Sequence, residues 1–239
     1  MKLSGENIMK IGIIGAMEVE VETLKGAMNV KNVVKKASME FYEGTIENTE
    51  VVLVRSGIGK VNAGICAQIL ADIFGVDKII NTGIAGSLNN DINIGDVVLS
   101  TDAIYHDMDV RVFGYKMGVV PQLGVESFVA DADMREKAKA AIKKVAPDIG
   151  VFEGRVASGD QFISGKETKD RIIADVGGMC AEMEGAAIAQ ACYLNNIPYL
   201  IIRAISDKAD GTADVDYPTF EAKAAKDCAA LTMELIKNL

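Results

Sequence analysis

The residues with the clearest chemical potential follow a strongly apolar segment near the carboxyl end of the chain. This segment, residues 198–206, is predicted to be a strand, and Arg203 and Asp207 lie at its end. Ligands of α/β sheets bind outside the carboxyl ends of the strands. A carboxyl group that emerges from an apolar strand can also have the raised pKa that a general acid needs. We therefore predict that Asp207 donates a proton to a substrate; a salt bridge that caps the strand is the alternative.

Two more carboxylates, Glu182 and Glu184, open an alanine-rich segment that is predicted to be a helix over residues 182–194. Acidic residues interact favourably with the dipole at a helix N-terminus, so a purely structural role is one interpretation. Side chains two positions apart on a helix point in different directions. If both carboxylates are functional, we expect them to have separate roles.

Two glycine-rich segments have features of phosphate-binding loops. Gly12 and Gly15 supply only half of the dinucleotide-binding fingerprint. The segment SGIGK at residues 56–60 ends like a P-loop, but Val54 occupies the position of the first glycine and Val61 that of the Ser or Thr. The sequence therefore predicts neither a nucleotide cofactor nor ATP hydrolysis, although a glycine-rich turn lets the backbone approach a ligand.

His106 is the only histidine of the chain, which excludes a metal site built from several histidines. The G-x-S-x-G motif of a serine hydrolase does not accompany it. His106, Asp107 and Asp109 could together hold a metal ion, but polar runs of this kind more often lie in solvated loops. We predict neither a metal nor a cofactor.

The elements that must position these groups alternate along the chain. This alternation predicts an α/β fold with one mixed central β-sheet, flanked by helices on both faces. Residues 9–239 are predicted to form a single domain, residues 1–8 an N-terminal extension, and residues 105–127 a loop or lid. The predicted strands are 10–15, 41–46, 51–55, 78–81, 96–104, 154–158 and 198–206, and the predicted helices are 18–28, 61–74, 131–145, 182–194 and 218–239.

Composition narrows the classes of partner. The chain has 239 residues and a formal net charge of −9, without a cluster of Lys and Arg. Both features argue against nucleic acid or an anionic membrane as a partner. The four cysteines form no C-x-x-C pair, and no apolar run is long enough for a membrane span. We expect a cytoplasmic protein with reduced thiols.

Seven segments in order over residues 11–207 resemble the 5′-methylthioadenosine/S-adenosylhomocysteine nucleosidases, a family within the nucleoside phosphorylase-like superfamily. Their agreement in order is far more specific than any one motif. The segments are IGIIGAMEVE (11–20), SGIGK (56–60), NTGIAG (81–86), YHDMDV (105–110), SGDQFI (158–163), EME (182–184) and RAISD (203–207).

The resemblance implies a division of labour between two carboxyl groups. Glu20 corresponds to the carboxylate that activates a water molecule. Asp207 corresponds to the acid that protonates adenine N7, with Ser206 orienting it. Glu184 corresponds to the residue that holds the ribose hydroxyls.

The remaining site residues are also carried over from the resemblance. Phe162 stacks on adenine and the backbone of Ile163 reads its edge, while Met183 packs against the sugar. An apolar wall surrounds the 5′-alkylthio group, and the family forms homodimers in which the partner's 105–121 segment completes this wall. The wall consists of Met17, Ile58, Val110, Phe113, Pro121 and Tyr217, and the other substrate-binding positions are Ala16, Ala85, Gly86, Glu182 and Arg203.

One position departs from the family pattern, because Ile84 stands where many members have a serine linked to the water and hydroxyl side of the site. Three alternative functions stay open. A purine nucleoside phosphorylase would need cations for phosphate, and no Arg lies in residues 18–23 or 84–87. A hydrolase of aminofutalosine-type nucleosides is poorly separated by sequence. A non-catalytic nucleoside-binding protein is disfavoured by the presence of both Glu20 and Asp207.

Overall fold

The computed structural model describes residues 9–239, without the side chains of residues 214 and 215. The predicted extension over residues 1–8 lies outside the described residues. Strands and helices alternate along the described chain as β1 (Lys10–Gly15), α1 (Glu18–Ala27), β2 (Asn29–Lys36), β3 (Met39–Ile46), β4 (Thr49–Arg55), α2 (Lys60–Asp72), β5 (Lys78–Ser87), β6 (Val97–Tyr105), β7 (Phe128–Val129), α3 (Ala132–Val145), β8 (Val151–Ser158), α4 (Lys166–Asp175), β9 (Cys180–Glu182), α5 (Gly185–Asn195), β10 (Tyr199–Asp207) and α6 (Ala213–Ile236).

All of these strands belong to one mixed sheet. Strand β1 lies between β4 and β5 and is parallel to both, and β3 and β2 extend the sheet beyond β4 in antiparallel fashion. On the other side, β5, β10, β6, β8 and β9 pair in a closed ring. Because β1, β5 and β10 are parallel neighbours, their carboxyl ends at Gly15, Ser87 and Asp207 meet at one edge of the sheet.

The apolar strands are buried because helices cover both faces of the sheet, as is usual for parallel strands. Ile11, Ile13 and Ile14 of β1 have no exposed surface, and all nine residues of β10 are buried. Helices α1, α3 and α6 form one packed group, and α2 and α5 form a second. The predicted α/β fold with a mixed central sheet is thereby confirmed. No helix of the described residues has the length and apolarity to cross a membrane.

The helix predicted over residues 182–194 is wrong at its start. Residues Cys180–Glu182 form the short strand β9, in which Glu182 pairs with Ser158 of β8. Helix α5 begins only at Gly185, and Glu184 is its N-cap residue. The alanine-rich segment is helical from Gly185 onward. The residues before Met183 instead pair with β8 and β5 and belong to the sheet.

Two other elements differ from their predicted form. In α2 the buried face carries Ala63, Cys66 and Leu70, whereas Ile65 and Ile73 of the predicted apolar stripe are 43% and 52% exposed. Helix α6 starts at Ala213, five residues before the predicted start, so that Pro218 lies inside the helix, where its missing amide removes one intrahelical hydrogen bond. Strand β2 and helix α4 were not predicted, because their segments are largely polar and exposed.

Candidate active site

A cavity of about 450 Å³ lies at the edge where the carboxyl ends of β1, β5 and β10 meet. Loops after β4 and β8 and the segment between β9 and α5 complete its walls. The cavity brings together most of the predicted site residues from seven separate stretches of the chain. Its lining is Ala16, Met17, Glu20, Ile58, Ile84, Ala85, Gly86, Gln161, Phe162, Ile163, Ala181, Glu182, Met183, Glu184, Ser206, Asp207 and Tyr217.

Glu20 reaches the cavity from the first turn of α1 and is only 5% exposed. Its Oε2 atom accepts hydrogen bonds from the backbone amides of Ala16 at 2.6 Å and Met17 at 2.9 Å, and its Oε1 atom accepts one from the amide of Ile84 at 3.1 Å. Burial raises the pKa of Glu20, while the Arg203 guanidinium and the three amides oppose that rise. The three amide donors thus fix the carboxyl group in position at the cavity.

Asp207 is the last residue of β10 and is 1% exposed. Its Oδ1 atom accepts a hydrogen bond from the amide of Ala209 at 2.8 Å, and its Oδ2 atom accepts one from the Ser206 hydroxyl at 2.9 Å. Burial raises the pKa of Asp207 despite these two bonds. A buried carboxyl with a raised pKa at a cavity wall can hold a proton and give it to a bound ligand.

Glu184 forms a third buried carboxyl group at the cavity. Its Oε1 atom accepts a hydrogen bond from the amide of Gly59 at 2.8 Å. Burial, and then the neighbouring charge of Glu182, raises the pKa of Glu184 to about 8. Gly59 has a backbone φ of 97°, a left-handed conformation that favours glycine. The glycine-rich turn at residues 56–60 therefore approaches the cavity with its backbone.

Glu182, which lines the cavity, forms an ion pair with Arg203, which does not, and their side chains are 3% and 2% exposed. One Arg203 nitrogen, Nη2, donates to Glu182 Oε2 and to the side-chain oxygen of Asn81. Glu182 also accepts hydrogen bonds from the Ser158 hydroxyl and from the amide of Gly185, the latter at 2.8 Å. Protein donors thus occupy its carboxylate. The alternative of a salt bridge that caps the strand is wrong, because Arg203 lies in the middle of β10 and pairs with Glu182, while Asp207 at the strand end belongs to none of the ion pairs among the described residues.

Apolar side chains form one part of the lining of the cavity. The rings of Phe162 and Tyr217 meet edge to face, with centroids 5.5 Å apart, and the Tyr217 hydroxyl lies 3.3 Å from the sulfur of Met17. Ile58 and Phe162 remain 53% and 50% exposed, so this wall is open to solvent on one side. Apolar and sulfur-bearing groups of this kind suit a thioether or another polarisable apolar ligand group.

Comparison with known proteins places this site in a family. A sequence model described as Phosphorylase superfamily matches residues 10–237. Curated 5′-methylthioadenosine/S-adenosylhomocysteine nucleosidases of Staphylococcus carnosus and Staphylococcus saprophyticus are 41% and 44% identical, and each alignment spans 96% of this chain and 100% of the relative. This chain belongs to that nucleosidase family. The resemblance found in the sequence is confirmed.

Solved structures agree with this family at the level of the fold. The family member from Neisseria meningitidis, in complex with methylthio-immucillin-A, has a TM-score of 0.92 and 40% identity, with 96% of this chain and 99% of that chain covered. A futalosine hydrolase of Helicobacter pylori also has a TM-score of 0.92, with 30% identity and coverage of 98% and 100%. The same fold therefore occurs in enzymes that are named for different substrates, namely methylthioadenosine and adenosylhomocysteine in one case and futalosine in the other.

Four of the predicted site residues do not line the cavity formed by the described residues of this chain. Arg203 does not reach the lining, and its guanidinium donates instead to Glu182 and to the side-chain oxygen of Asn81. Val110 and Pro121 are half-buried in the 105–121 segment, and Phe113 of the same segment is 77% exposed. That this segment completes the site of a partner subunit stays a prediction.

The interpretation of His106 and Asp107 as parts of a solvated loop is wrong. His106 is 5% exposed, and Asp107 accepts hydrogen bonds from Lys60 Nζ at 2.6 Å and from the amide of Asp160 at 3.0 Å. Asp160 in turn accepts a hydrogen bond from the amide of Lys60 at 2.9 Å. This network ties together three loops near the cavity, those that follow β4, β6 and β8.

Three lining residues were not among the predicted site residues, namely Ile84, Gln161 and Ala181. Ile84 was noted only as a departure from the family pattern, and its amide in fact supports Glu20. Gln161 lies inside the segment at residues 158–163, and its position next to Phe162 is the sequence feature that could have indicated that it lines the cavity. Ala181 belongs to β9, a strand that was not predicted.

Proposed function

We propose that this chain hydrolyses the N-glycosidic bond of 5′-methylthioadenosine and S-adenosylhomocysteine, and so releases adenine and a 5-thioribose derivative. The observation that carries the proposal is the presence of two buried carboxyl groups, Glu20 and Asp207, in one cavity with an apolar wall. The nucleosidases in the same family carry this activity in their names, and the structure of the Neisseria meningitidis member is a complex with methylthio-immucillin-A.

Asp207 supplies the proton that the leaving base requires. Cleavage of a ribosyl–adenine bond leaves electrons on the base and positive charge on the sugar. A protonated Asp207 gives its proton to adenine N7, so the base departs neutral. The carboxylate left behind keeps its hydrogen bonds from Ser206 and from the amide of Ala209. A raised pKa keeps the proton available at higher pH than for an ordinary carboxyl group.

Glu20 directs the attacking water toward the sugar. It must be ionised to accept the water's proton, and its three backbone amide donors together with the charge of Arg203 favour that form. One carboxyl group thus donates a proton while the other activates water, as in glycoside cleavage in general. Each group is expected to contribute about 10²–10⁴-fold to the rate.

Glu184 and the apolar wall hold the rest of the substrate. Glu184 is placed to accept hydrogen bonds from ribose hydroxyls, because Gly59 occupies only its Oε1 atom. Phe162 and Met17 offer an aromatic ring and a thioether to the base and the 5′ substituent. The chemistry assigned to these groups uses side chains and backbone amides of the protein alone.

A homodimer completes the site in this proposal. Exposed apolar side chains lie on α2, on α5 and on the 105–121 segment. Apolar surface of this kind is unfavourable in water and typical of a site where another protein binds. The exposed side chains include Val61, Leu194 and Val112 at 72%, 57% and 86% exposure. We propose that a second copy of this chain covers these side chains. Sedimentation should give a dimer, and Val112→Asp should weaken both dimerisation and binding of methylthio substrates; a fully active monomer would contradict this.

Aminofutalosine-type nucleosides are a second candidate substrate class, because a futalosine hydrolase has the same fold over nearly the full chain. Competition among methylthioadenosine, adenosylhomocysteine and aminofutalosine decides between them. We expect the two thionucleosides to have the higher kcat/KM. A higher kcat/KM for aminofutalosine would reverse the assignment of the substrate.

The deciding assay is release of free adenine from methylthioadenosine in buffer without phosphate. A phosphorylase needs cations that hold phosphate, and none of the described residues that line the cavity is Lys or Arg. We expect full turnover without phosphate, and a loss of at least about 10²-fold in Asp207→Asn and in Glu20→Gln. An absolute requirement for phosphate, or near wild-type turnover of Asp207→Asn, would refute the proposal.

A further inference from the structure

Lys169 stands out because it is the one lysine among the described residues whose side chain is buried. Only 4% of it is exposed, yet it belongs to none of the ion pairs found in this part of the chain. Burying a cation without a direct ion-pair partner is costly. Helix α4 otherwise buries Ile172 beside it, so an apolar residue would suit this position in terms of packing alone. The ammonium group must therefore contribute something that an apolar side chain does not.

The ammonium group of Lys169 binds the segment that directly follows Asp207. Its Nζ atom donates to the backbone oxygen of Lys208 at 2.7 Å and to the side-chain oxygen of Asn90 at 3.3 Å. The side chain of Lys208 returns toward the same loop, where its Nζ atom donates to the backbone oxygens of Asn90 and Ile92. The two lysines thus tie the chain after β10 to residues 90–92 and to α4.

This segment needs external support because its backbone is unusual. Ala209 has a φ of 50°, in the left-handed region that residues other than glycine rarely adopt. The amide of Ala209 is also the donor that holds Asp207 Oδ1. A backbone conformation of this kind persists only when its surroundings fix it. Lys169 donates a hydrogen bond to the carbonyl of Lys208, which lies between Asp207 and Ala209. It therefore acts on the turn that orients the carboxyl group of Asp207.

We propose that Lys169 is a positioning residue for the proton donor, which it serves by fixing the 207–209 turn against α4 and the 90–92 loop. The inference rests on the proposed function of Asp207 as the acid. The charged groups that face Lys169 are Asp170 on its own helix and Asp207, Lys208 and Asp210 on the segment it holds. Its positive charge also favours the ionised form of Asp207, so the lysine affects both the direction and the acidity of the donor.

The test compares Lys169→Met with wild type, with Lys169→Arg and with Lys166→Met. Methionine keeps most of the buried stem, and Lys166 is an exposed lysine on the same helix. We expect Lys169→Met to lower kcat on methylthioadenosine about tenfold with KM changed less than about twofold, since misaligning a catalytic group mainly affects the chemical step. The fall of activity at high pH should move upward, because Asp207 then keeps its proton longer. Lys169→Arg should recover most of kcat, and Lys166→Met should match wild type.

Several outcomes would overturn the inference. One is a Lys169→Met enzyme with wild-type kcat and an unmoved pH profile. Another is a Lys169→Met effect that persists undiminished when Asp207→Asn is also present, because a residue that acts through Asp207 should have little effect without it. If Lys169→Met fails to fold, Asn90→Ala removes one acceptor of the same network and should lower kcat about threefold at constant KM. An active Asp207→Asn enzyme would instead count against the proposed function itself.

Discussion

Gly83 and Glu20 meet so closely that a β-carbon on Gly83 would lie 2.4 Å from Glu20 Oε1. The same β-carbon would lie 3.3 Å from a guanidinium nitrogen of Arg203. Gly83 belongs to the buried strand β5, whose backbone cannot easily shift to make room for a side chain. The absence of a side chain at this position is what allows the carboxyl group of α1 to reach the end of β5.

The first prediction concerns this contact. Gly83→Ala should displace the Glu20 carboxyl group and lower kcat at least about tenfold, because small misplacements of a catalytic group are costly. Gly26→Ala is the matched control, since Gly26 lies on α1 and a β-carbon there meets no atom within 4 Å. Steady-state kinetics on methylthioadenosine check both variants. Wild-type kcat in a folded Gly83→Ala enzyme would mean that the position of Glu20 is not critical.

The second prediction concerns the pH dependence of stability. The pKa of Glu184 is raised to about 8 in the folded protein, mainly by burial. A group with a raised folded pKa adds stability below its unfolded pKa and loses that contribution as pH rises through the folded value. Between about pH 4.5 and 8, Glu184 should therefore lower the unfolding free energy with rising pH, by at most about 1.4 kcal/mol per pH unit.

Glu184→Gln removes this titration. Urea denaturation from pH 5 to 9 should show that the variant gains stability relative to wild type as pH rises, while its KM increases through loss of a ribose contact. Glu22→Gln, at an exposed position on α1, provides the control and should follow the wild-type curve. A constant difference between Glu184→Gln and wild type at every pH would contradict the assignment.

The third prediction separates buried from exposed ion pairs. Arg203→Met leaves Glu182 as a buried charge without its partner, and breaking such a pair typically costs about 3–5 kcal/mol. Lys166→Met breaks the exposed pair with Asp170, whose side chains are 77% and 54% exposed, and should leave stability nearly unchanged. Denaturant unfolding measures both. Equal effects of the two substitutions would show that Arg203 is not central to the core beneath the site.

Strand ends were the most predictable parts of this molecule. The apolar runs of β1 and β10 identified the strands that place Glu20 and Asp207 at one edge, since parallel buried strands have continuous apolar sequences. Local patterns did not predict β9, because three residues carry no periodicity and the alanines that follow favour a helix. They also did not predict which face of α2 is buried, since Ala63 and Cys66 pack inward while Ile65 faces outward.

Contacts between distant residues could not be read from sequence patterns. The partner of Arg203 is Glu182, 21 residues away, and the loop that Lys169 holds lies 39 residues away. Only the folded chain brings such pairs together, and no spacing rule relates them. The buried, unpaired state of Lys169 was equally invisible, because the sequence of α4 has the appearance of an exposed polar segment.

The last prediction concerns Ile84, where this chain departs from the family pattern. What Ile84 gives to Glu20 is its backbone amide, at 3.1 Å from Oε1, and its side chain faces the cavity while only 7% exposed. Ile84→Ser keeps the amide and removes apolar volume from the wall. Since the amide donor persists, kcat on methylthioadenosine should change less than about threefold, whereas stability should fall by about 1–3 kcal/mol through lost burial.

Kinetics and urea denaturation of the same preparation check both parts, with Ile84→Val as the control that keeps an apolar wall. A change in kcat of about 10²-fold or more in Ile84→Ser, with Ile84→Val close to wild type, would show instead that a hydroxyl at this position takes part in the handling of water.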